Sequence, residues 1–191
     1  MSLDIALLAA EEREEVAAAV SGFTCRGPRH LEDETVEFGD RYLKDGVWAD
    51  FDQAGVTRTW VAIVDGAIGG YVALAADTVQ LTKSEKKQAE LDVASLRTYG
   101  CVQVVMLAVE AGLQKRGDIH VGRALIDHSI LIGVEVGKKV GARFLAADVN
   151  PPAEGFYERC GFIALASEAE ALQRKREQGR IPMVLDLHPH S

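Results

Sequence analysis

Residues 150–162 read Asn-Pro-Pro-Ala-Glu-Gly-Phe-Tyr-Glu-Arg-Cys-Gly-Phe, and this stretch decides the fold. It follows an apolar run with β-strand character, Phe144–Val149. The two prolines suit the first turn of a helix, because proline has a fixed φ and no N–H group to leave unpaired there. Gly161 suits the end of that helix, and the apolar stretch Phe162–Leu165 resumes as a strand. The stretch therefore predicts a strand, a short helix and a second strand, with a tyrosine inside the helix.

A second informative pattern lies upstream, where Cys101–Val109 is almost entirely apolar and rich in β-branched residues. This composition predicts a buried strand. Residues 111–120 are polar and contain two glycines, which predicts a loop, and residues 121 to about 140 follow as a helix. The N–H groups of a helix's first turn have no acceptor within the helix, and the macrodipole favours negative charge there. Strand, loop and helix together predict an anion site that suits a pyrophosphate. The helix's core-facing candidates include Leu125, Ile132 and Val136.

Both patterns resemble the GNAT superfamily of acyl-CoA-dependent N-acyltransferases. The last conserved block of that family reads Asn, two residues, Ala, two residues, an apolar residue, Tyr, three residues and Gly-Phe, and residues 150–162 fill every position. The loop resembles the family's pyrophosphate motif, which is Gln or Arg, two residues, Gly, one residue and Gly or Ala. Counted back from Gly122, however, His120 occupies the position at which the motif usually has a glycine. Gly117 occupies the leading position, which is usually Gln or Arg. Gln114 or Arg116 can act as the Gln or Arg at the first motif position only if the loop is longer than usual. The Cβ of His120 is sterically tolerated at the glycine position if the φ of His120 is negative.

The resemblance covers nearly the whole chain and implies an α/β (α+β) fold. That fold is a mixed, mostly antiparallel sheet of six or seven strands, with helices on both faces and splayed central strands between which pantetheine lies. Outside the two blocks, the sequence itself predicts a hairpin around Asp65-Gly66 and a first strand at Leu3–Leu8, where an alanine-rich helix is the alternative. Residues 82–85 form a capping box ahead of a charged helix, which is either a lid over the acceptor site or a solvated decoration.

The resemblance also assigns roles to individual residues. Tyr157 becomes the general acid that protonates the leaving thiolate, and the N–H of Val109 is the candidate oxyanion donor. Acetyl-CoA (coenzyme A) is the implied co-substrate. Its expected binding residues are Leu107, Ala108, Val109, Gln114, Arg116, Gly117, Asp118, Ile119, His120, Val121, Gly122, Arg123 and Asn150.

The general base is harder to identify from the sequence. An alkylamine is protonated at neutral pH, so some group must accept its proton. Gln103 stands where some family members carry a glutamate, and an amide cannot act as a base. Glu110, directly after the strand, is the best carboxylate candidate, although a structural role competes with this assignment. His120 is also of the right chemical type for a base, although its expected place is at the phosphate end. Transfer to bulk water and an acceptor with a low-pKa amine are further alternatives.

Composition sets further limits. The chain has 191 residues, enough for one domain over residues 1–191, with a net charge of −8 and three cysteines without metal-ligand spacing. No apolar run approaches the roughly 18 residues of a membrane span, and no signal peptide is visible. We therefore expect a cytoplasmic protein without membrane contact and with no metal. The negative net charge disfavours binding to nucleic acid, which requires clustered Lys and Arg. A tRNA partner is not excluded by this argument.

Three functions follow from these observations. The first is an N-acetyltransferase that acts on a primary amine of a small molecule or peptide, with acidic clusters near residues 11–15 and 32–40 as steering groups for a cationic acceptor. The second is a toxin-like acetyltransferase of aminoacyl-tRNA, suggested by a loose likeness over Phe23–Ala62 and by the basic residues of 174–180. The third is a catalytically degenerate CoA-binding module. A homodimer is expected only because dimers are common in the family.

Overall fold

The computed structural model describes residues 2–8, 19–25, 34–88, 96–114, 116, 118–165, 173, 177 and 179–188. Its strands are β1 Leu3–Leu7, β2 Arg58–Val64, β3 Ala67–Gln80, β4 Thr98–Val109, β5 Ala142–Val149, β6 Ile163–Ala164 and β7 Ile181–Asp186. Its helices are α1 Glu34–Lys44, α2 Val47–Gln53, α3 Lys83–Gln88, α4 Val121–Val140 and α5 Glu154–Arg159, with short 3-10 turns at Ala111–Leu113 and Pro151–Ala153.

The seven strands form one sheet in the order β1-β2-β3-β4-β5-β7-β6. Strand pairs β1–β2, β2–β3, β5–β7 and β6–β7 are antiparallel, whereas β4–β5 is parallel. The parallel pairing runs from Gly100 to Val104 of β4, and that strand then continues to Val109. The predicted mixed, mostly antiparallel sheet is therefore confirmed.

The chain divides into two compact units. The first contains Met1–Ala75 and Val105–Ser129, and the second contains Ala76–Val104 and Ile130–Ser191. Strands β3 and β4 and helix α4 contribute residues to both. The single domain predicted over residues 1–191 stays a prediction.

In the first unit, the β2–β3 hairpin turns through Asp65 and Gly66, whose φ angles are 48° and 84°. Val64 pairs with Ala67, so the loop has two residues. Two positive φ angles match the type I′ turn that Asp-Gly favours, because this turn follows the twist of the strands. The predicted hairpin is confirmed.

The two faces of β3 carry different helices in the first unit. Tyr71 belongs to a core cluster with Tyr42 of α1 and Trp48 of α2. A Cβ added to the neighbouring Gly70 would instead meet Val121 of α4. Successive residues of a strand point to opposite faces, so helices cover both faces of this part of the sheet, as predicted.

In the second unit, β5 pairs with β4 on one side and β7 on the other. Phe144 of β5 packs edge-to-face against Tyr99, with ring centroids 5.7 Å apart, inside a second core cluster. A Cβ added to Gly137 would lie 2.6 Å from the carbonyl oxygen of Ala142. Glycine at this position therefore lets the C-terminal half of α4 approach β5 closely.

Most predicted elements are found, with shifted ends. Helix α4 has its predicted bounds, and Leu125 is fully buried, whereas Ile132 and Val136 are half-buried. Strand β3 is longer than predicted and β6 is shorter. The acidic cluster at residues 11–15 and most of the basic stretch at residues 174–180 lie outside the described residues. None of the described helices has the length and apolarity to cross a membrane.

Candidate active site

The predicted cofactor strand ends with Leu107, Ala108 and Val109, all in the first unit. A Cβ added to Gly70 of β3 would lie 2.8 Å from the carbonyl oxygen of Ala108 and 2.9 Å from Val121 Cγ1. Atoms do not approach this closely without displacement, so glycine at position 70 allows β3, the end of β4 and the start of α4 to meet. The strand end and the first turn of α4 are thereby brought together, as the anion site requires.

One face of β4 is uncovered near this end. Val105 and Leu107 point to the same face, because side chains two residues apart in a strand share a side. Val105 is 42% exposed and Leu107 is half-buried, although β4 is an interior strand of the sheet. This leaves an apolar strip along the strand that an extended, largely apolar ligand can cover.

Gln114 ties the strand end to the N-terminal region of the chain. Its Nε2 donates to the carbonyl oxygens of Cys25 and Val109, each at 2.9 Å. A glutamine amide has two N–H donors, and both are used by these bonds. The side chain therefore has a structural function here, and its predicted contact with pyrophosphate stays a prediction that requires one of these bonds to break.

Glu110, the predicted base candidate, caps the 3-10 turn that follows β4. Its carboxylate accepts a hydrogen bond from the N–H of Leu113 at 3.1 Å. Its own N–H donates to the carbonyl oxygen of Gly69 at 2.9 Å. The side chain is half-buried. The geometry thus gives Glu110 a clear structural function, while its role as a base stays a prediction.

The loop before α4 carries an exposed ion pair between Arg116 and Asp118. The hydrogen bond from the Arg116 guanidinium lowers the pKa of the Asp118 carboxyl, so this residue is ionised at neutral pH. A carboxylate in this loop opposes the binding of an anion, and Arg116 partly offsets it. Ile119 is half-buried in the same loop, whereas Gly117 lies outside the described residues.

His120 immediately precedes α4, and its carbonyl oxygen accepts the N–H of Ala124 at 2.9 Å. Asp65 is the only non-glycine residue with positive φ in the described part of the chain. His120 therefore has a negative φ, which is the condition under which its Cβ is tolerated. Its imidazole is exposed at the helix start. The N–H groups of this first turn, which includes Gly122, lack intrahelical acceptors.

Two more predicted cofactor residues lie in that first turn. Val121 is buried, whereas Arg123 is exposed and its Nε donates to Asp127 Oδ1 at 2.8 Å, one turn further along. A contact between the Arg123 guanidinium and a phosphate would therefore compete with this exposed pair. Such surface pairs contribute little to stability, so the competition is weak.

The Asn150 block lies in the second unit. Asn150 follows β5, and its carbonyl oxygen accepts the N–H of Ala153 at 2.9 Å, which starts the 3-10 turn. Its side chain makes no capping hydrogen bond. Helix α5 ends at Arg159, and Gly161, two residues further on, has a φ of 96°. The Gly161 N–H donates to Glu158 and the Phe162 N–H donates to Tyr157, the two bonds of a Schellman cap.

Tyr157 sits on α5 and is 7% exposed. Its ring meets the rings of Phe156 and Phe162 edge-on, with both centroid distances at 5.2 Å. Burial raises the pKa of the Tyr157 phenol well above its ordinary value, and the nearby Cys160 thiol adds to this. The phenol is therefore protonated at neutral pH and is a competent hydrogen-bond donor. None of the described residues hydrogen-bonds the hydroxyl group.

A cleft of about 230 Å³ also lies in the second unit. Its lining includes Gln103 of β4 and three carboxylates, Asp77, Glu85 and Asp148. Across the described residues, no group of three or more His, Cys, Asp or Glu side chains could hold a metal ion. Sequence reasoning missed this cleft, and the available signal was Asp148, a charged residue inside the apolar β5.

Helix α3 begins with the predicted capping box. Thr82 N–H donates to Glu85 Oε2 at 2.8 Å, and Glu85 N–H donates to Thr82 Oγ1 at 3.3 Å. Glu85 and Lys86 are both buried, whereas Lys83, Ser84 and Lys87 are exposed. The interpretation as a solvated decoration is therefore wrong for Glu85 and Lys86 alone. Residues 89–95 of the predicted helix lie outside the described part of the chain.

Asp40, one of the acidic residues predicted to steer a cationic acceptor, is instead internal. Its carboxylate accepts from the Cys25 N–H at 2.7 Å and from Thr24 Oγ1 at 3.0 Å. Burial alone would raise its pKa, but hydrogen bonds from Cys25 and Thr24 bring the Asp40 pKa below its ordinary value. A steering role for this residue is therefore wrong. Residues 11–15 lie outside the described part of the chain.

A model of the acetyltransferase (GNAT) family matches residues 27–162. No curated protein matches the chain.

Several solved structures resemble the chain. A tyrosine-to-phenylalanine mutant of KacT has a TM-score of 0.71 and 19% identity, covering 98% of this chain and 96% of that one. A mutant of the AtaT toxin bound to the C-terminus of the antitoxin AtaR and acetyl-CoA has a TM-score of 0.67 and 16% identity, covering 98% and 94%. AtaT complexed with acetyl-methionyl-tRNAfMet has a TM-score of 0.67 and 19% identity, covering 95% and 94%. Identities this low establish a common fold alone.

Proposed function

Because the chain belongs to the acetyltransferase (GNAT) family, we propose that it transfers an acetyl group from acetyl-CoA to a primary amine, with Tyr157 as the general acid. The observation that carries this proposal is the state of Tyr157. Its ring is held by the cap of α5 and by edge-on contacts with Phe156 and Phe162, and its hydroxyl group makes no hydrogen bond to the described residues. A phenol positioned in this way can deliver its proton to a leaving thiolate.

The first unit has the features that acetyl-CoA binding requires. The start of α4 offers unpaired N–H groups to a pyrophosphate, and His120 fits there with a negative φ. Arg116, His120 and Arg123 supply exposed cationic or polar side chains beside them. The strip formed by Val105 and Leu107 suits an extended pantetheine chain. These residues fit the co-substrate, which argues against a degenerate site.

Acetyl-CoA supplies an activated thioester whose carbonyl carbon accepts the amine. The chain then has three tasks. A backbone N–H near the end of β4, for which Val109 is the candidate, stabilises the oxyanion. Tyr157 protonates the sulfur as the C–S bond breaks. Glu110 or water accepts the proton that the amine loses, because an alkylamine is mostly protonated at neutral pH.

Two measurements test this proposal. A thermal-shift titration compares acetyl-CoA and CoA with ATP and NAD. A ligand present at 100 times its Kd stabilises the native state by about 2.7 kcal/mol, so we expect the two CoA ligands alone to raise the midpoint. An acetylation assay with a panel of primary amines then measures release of free CoA. Absence of a shift with millimolar acetyl-CoA contradicts the proposal, whereas a shift without turnover supports a non-catalytic CoA-binding module.

A second candidate is acetylation of the amino group of an aminoacyl-tRNA. The observation that favours it is the structural likeness to AtaT, which was solved with acetyl-methionyl-tRNAfMet. The net charge of −8 opposes it, because RNA binding needs clustered Lys and Arg to displace counterions. This reading predicts growth arrest on expression and salt-sensitive tRNA binding. This function is contradicted if cells that express the protein grow normally and the protein binds tRNA no more tightly than it binds a neutral polymer.

A further inference from the structure

A short series of hydrogen bonds fixes the end of β4. The Val109 carbonyl oxygen accepts Gln114 Nε2 at 2.9 Å, and the same nitrogen donates to the Cys25 carbonyl oxygen at 2.9 Å. The Gln114 backbone N–H donates to the carbonyl oxygen of Glu110 at 3.2 Å. The Gln114 side chain therefore reaches back from the 3-10 turn to the last residue of the strand, and it links both to the segment that contains Cys25.

The segment that receives Gln114 is itself anchored. The carbonyl oxygen of Thr24 accepts the N–H of Ala111 at 2.8 Å. Asp40 of α1 is 6% exposed, and its carboxylate accepts the Cys25 N–H at 2.7 Å and Thr24 Oγ1 at 3.0 Å. Hydrogen bonds to an ionised carboxylate are stronger than those between neutral groups. Helix α1 thus supports residues 24 and 25, and these residues support the end of β4 through Gln114.

The orientation of β4 decides which backbone group this support holds in place. The Glu110 N–H donates to the carbonyl oxygen of Gly69 in β3 at 2.9 Å. A Cβ added to Gly70 would lie 2.8 Å from the Ala108 carbonyl oxygen, so this oxygen also lies against β3. Backbone groups of successive strand residues face alternate edges, and the N–H and C=O groups of Val109 therefore face the other edge. No described strand pairs with that edge at Val109, because the pairing of β4 with β5 ends earlier in the strand.

We propose that Gln114 is a positioning residue for the acetyl transfer. Its bond to the Val109 carbonyl oxygen holds this residue in the orientation in which its N–H points towards the thioester oxygen. The inference rests on the proposed function, in which the Val109 N–H is the candidate oxyanion donor. Oxyanion stabilisation requires a donor that is oriented before the reaction begins. A strand end that lacks a ladder partner on one edge can twist, and the Gln114 amide replaces the missing ladder bond.

This role excludes a simultaneous contact between the Gln114 side chain and a pyrophosphate. Both N–H donors of the amide are used by carbonyl oxygens of the protein. The remaining polar atom, Oε1, is an acceptor and does not attract a phosphate. The two roles make different predictions for a variant without the amide. Loss of a positioning residue lowers kcat at an unchanged affinity for CoA, whereas loss of a phosphate ligand weakens CoA binding.

Gln114→Met tests the proposal, because methionine is similar in size and has no strong N–H donor. We expect kcat to fall about tenfold or more, since misplacement of a reacting group by about 1 Å can cost about 10²-fold. The Kd of CoA, measured by isothermal titration calorimetry, should stay unchanged. Infrared spectroscopy of bound acetyl-CoA with an isotope-labelled thioester carbonyl adds a readout that a loss of stability alone does not move. A hydrogen bond from the oxyanion donor lowers the stretching frequency of this carbonyl, and the lowering should be smaller in Gln114→Met.

Two further variants complete the test. Gln173→Met is the matched control, because Gln173 is an exposed glutamine of the second unit whose Nε2 donates to Glu177 Oε1 at 3.1 Å. This variant should keep the kcat and the carbonyl frequency of the wild type. Gln114→Asn retains an amide on a side chain that is one methylene shorter, so its kcat should lie between those of the wild type and Gln114→Met. It also provides a milder variant if Gln114→Met does not fold, and the thermal midpoint shows which variants are folded at the assay temperature.

The outcomes separate this inference from the proposed function. An unchanged kcat or an unchanged carbonyl frequency in a folded Gln114 variant overturns the inference. Weaker CoA binding with an unchanged kcat also overturns it and makes Gln114 a phosphate ligand. If the wild type binds acetyl-CoA and acetylates an amine in those cases, the proposed function stands without the inference. If acetyl-CoA does not bind to the wild type, the proposed function fails and the inference fails with it.

Discussion

The ring of Phe162 meets the ring of Tyr157 edge-on, with the centroids 5.2 Å apart and the ring planes at 90°. The backbone joins the same two residues, because the Phe162 N–H donates to the carbonyl oxygen of Tyr157 at 3.1 Å. Gly161, with a φ of 96°, makes this bond geometrically accessible. One helix end thus fixes both the backbone and the ring of the proposed acid. A catalytic group held in this way needs little reorganisation to act.

Replacement of Tyr157 by phenylalanine should lower kcat by about 10²-fold or more, the low end for general acid–base catalysis. The ring and its contacts with Phe156 and Phe162 stay, so the thermal midpoint and the affinity for acetyl-CoA should change little. Steady-state kinetics with the best amine of the panel measure the effect. Tyr99→Phe is the matched control, because it removes a hydroxyl group from another tyrosine of the same unit, one that donates to the Leu96 carbonyl at 3.3 Å. An unaltered kcat in Tyr157→Phe removes this residue from the mechanism.

Replacement of Gly161 by alanine should destabilise the protein by about 1–2 kcal/mol, because an L side chain is strained at a positive φ. The same change should lower kcat, since the cap that holds Tyr157 is distorted. Gly155→Ala is the matched control in the same helix. Its φ is not positive and the nearest atom to an added Cβ is 3.4 Å away, so alanine there should stabilise by about 0.5–1 kcal/mol. Urea denaturation of both variants measures the change in the free energy of unfolding. A change of the same sign in Gly161→Ala and Gly155→Ala contradicts the prediction.

The parts of the fold that the sequence predicts well depend on local chemistry. Two prolines and one glycine specify the strand-helix-strand unit around Tyr157, and all three act within a few residues of their own position. Apolar periodicity likewise predicts α4 with its bounds. The Asp65-Gly66 turn is predicted because only a few dipeptides adopt two consecutive positive φ angles.

The parts that sequence reasoning missed depend on contacts between distant segments. Gln114 bonds to the carbonyl oxygen of Cys25, 89 residues away, and no local pattern encodes that pairing. The cleft takes its carboxylates from β3, α3 and β5, which are adjacent only in the folded sheet. Asp40 lies in an acidic stretch, yet its burial depends on Cys25 and Thr24. A charge pattern alone therefore could not distinguish an internal carboxylate from a solvated one.

Replacement of Asp118 by asparagine should strengthen the binding of acetyl-CoA several-fold at low salt. The change removes a negative charge from the loop before α4, together with the ion pair between Arg116 and Asp118. The gain is limited because these side chains are exposed to water, whose high dielectric constant weakens the interaction between charges. The gain should shrink at high ionic strength, because surface charges are screened. Isothermal titration calorimetry with CoA at two salt concentrations provides the measurement.

Asp45→Asn is the control for this prediction. Asp45 is also an exposed carboxylate paired with an arginine, Arg41, at 2.9 Å, but it directly follows α1 and does not belong to the predicted phosphate loop. Its replacement should leave the affinity for CoA unchanged at both salt concentrations. Weaker binding in Asp118→Asn means that Asp118 contributes to the site, and an equal gain in both variants means that only net charge matters.

The stability of the protein should fall above about pH 10. Burial raises the pKa values of Tyr42, Tyr71 and Tyr157 above the ordinary tyrosine value. Below pH 10 each phenol is protonated in both the folded and the unfolded state, so the contribution of the tyrosines to stability is fully present. As the pH rises from 10 towards the raised native values, the unfolded chain loses these protons first, and unfolding becomes more favourable. Each tyrosine then contributes a loss of about 1.4 kcal/mol per pH unit.

Burial also raises the pKa of the Cys101 thiol to about 12, so a smaller loss of stability should begin near pH 9. Urea denaturation at pH 8, 9, 10, 10.5 and 11 gives the free energy of unfolding across this range. Tyr71→Phe separates the tyrosine contribution from other alkaline effects. It should be less stable than the wild type at pH 8, because the hydroxyl group donates to the Gly39 carbonyl at 2.7 Å. Above pH 10, however, its stability should fall less steeply by about 1.4 kcal/mol per pH unit. Equal slopes in the two proteins would show that the Tyr71 phenol keeps an ordinary pKa despite its burial.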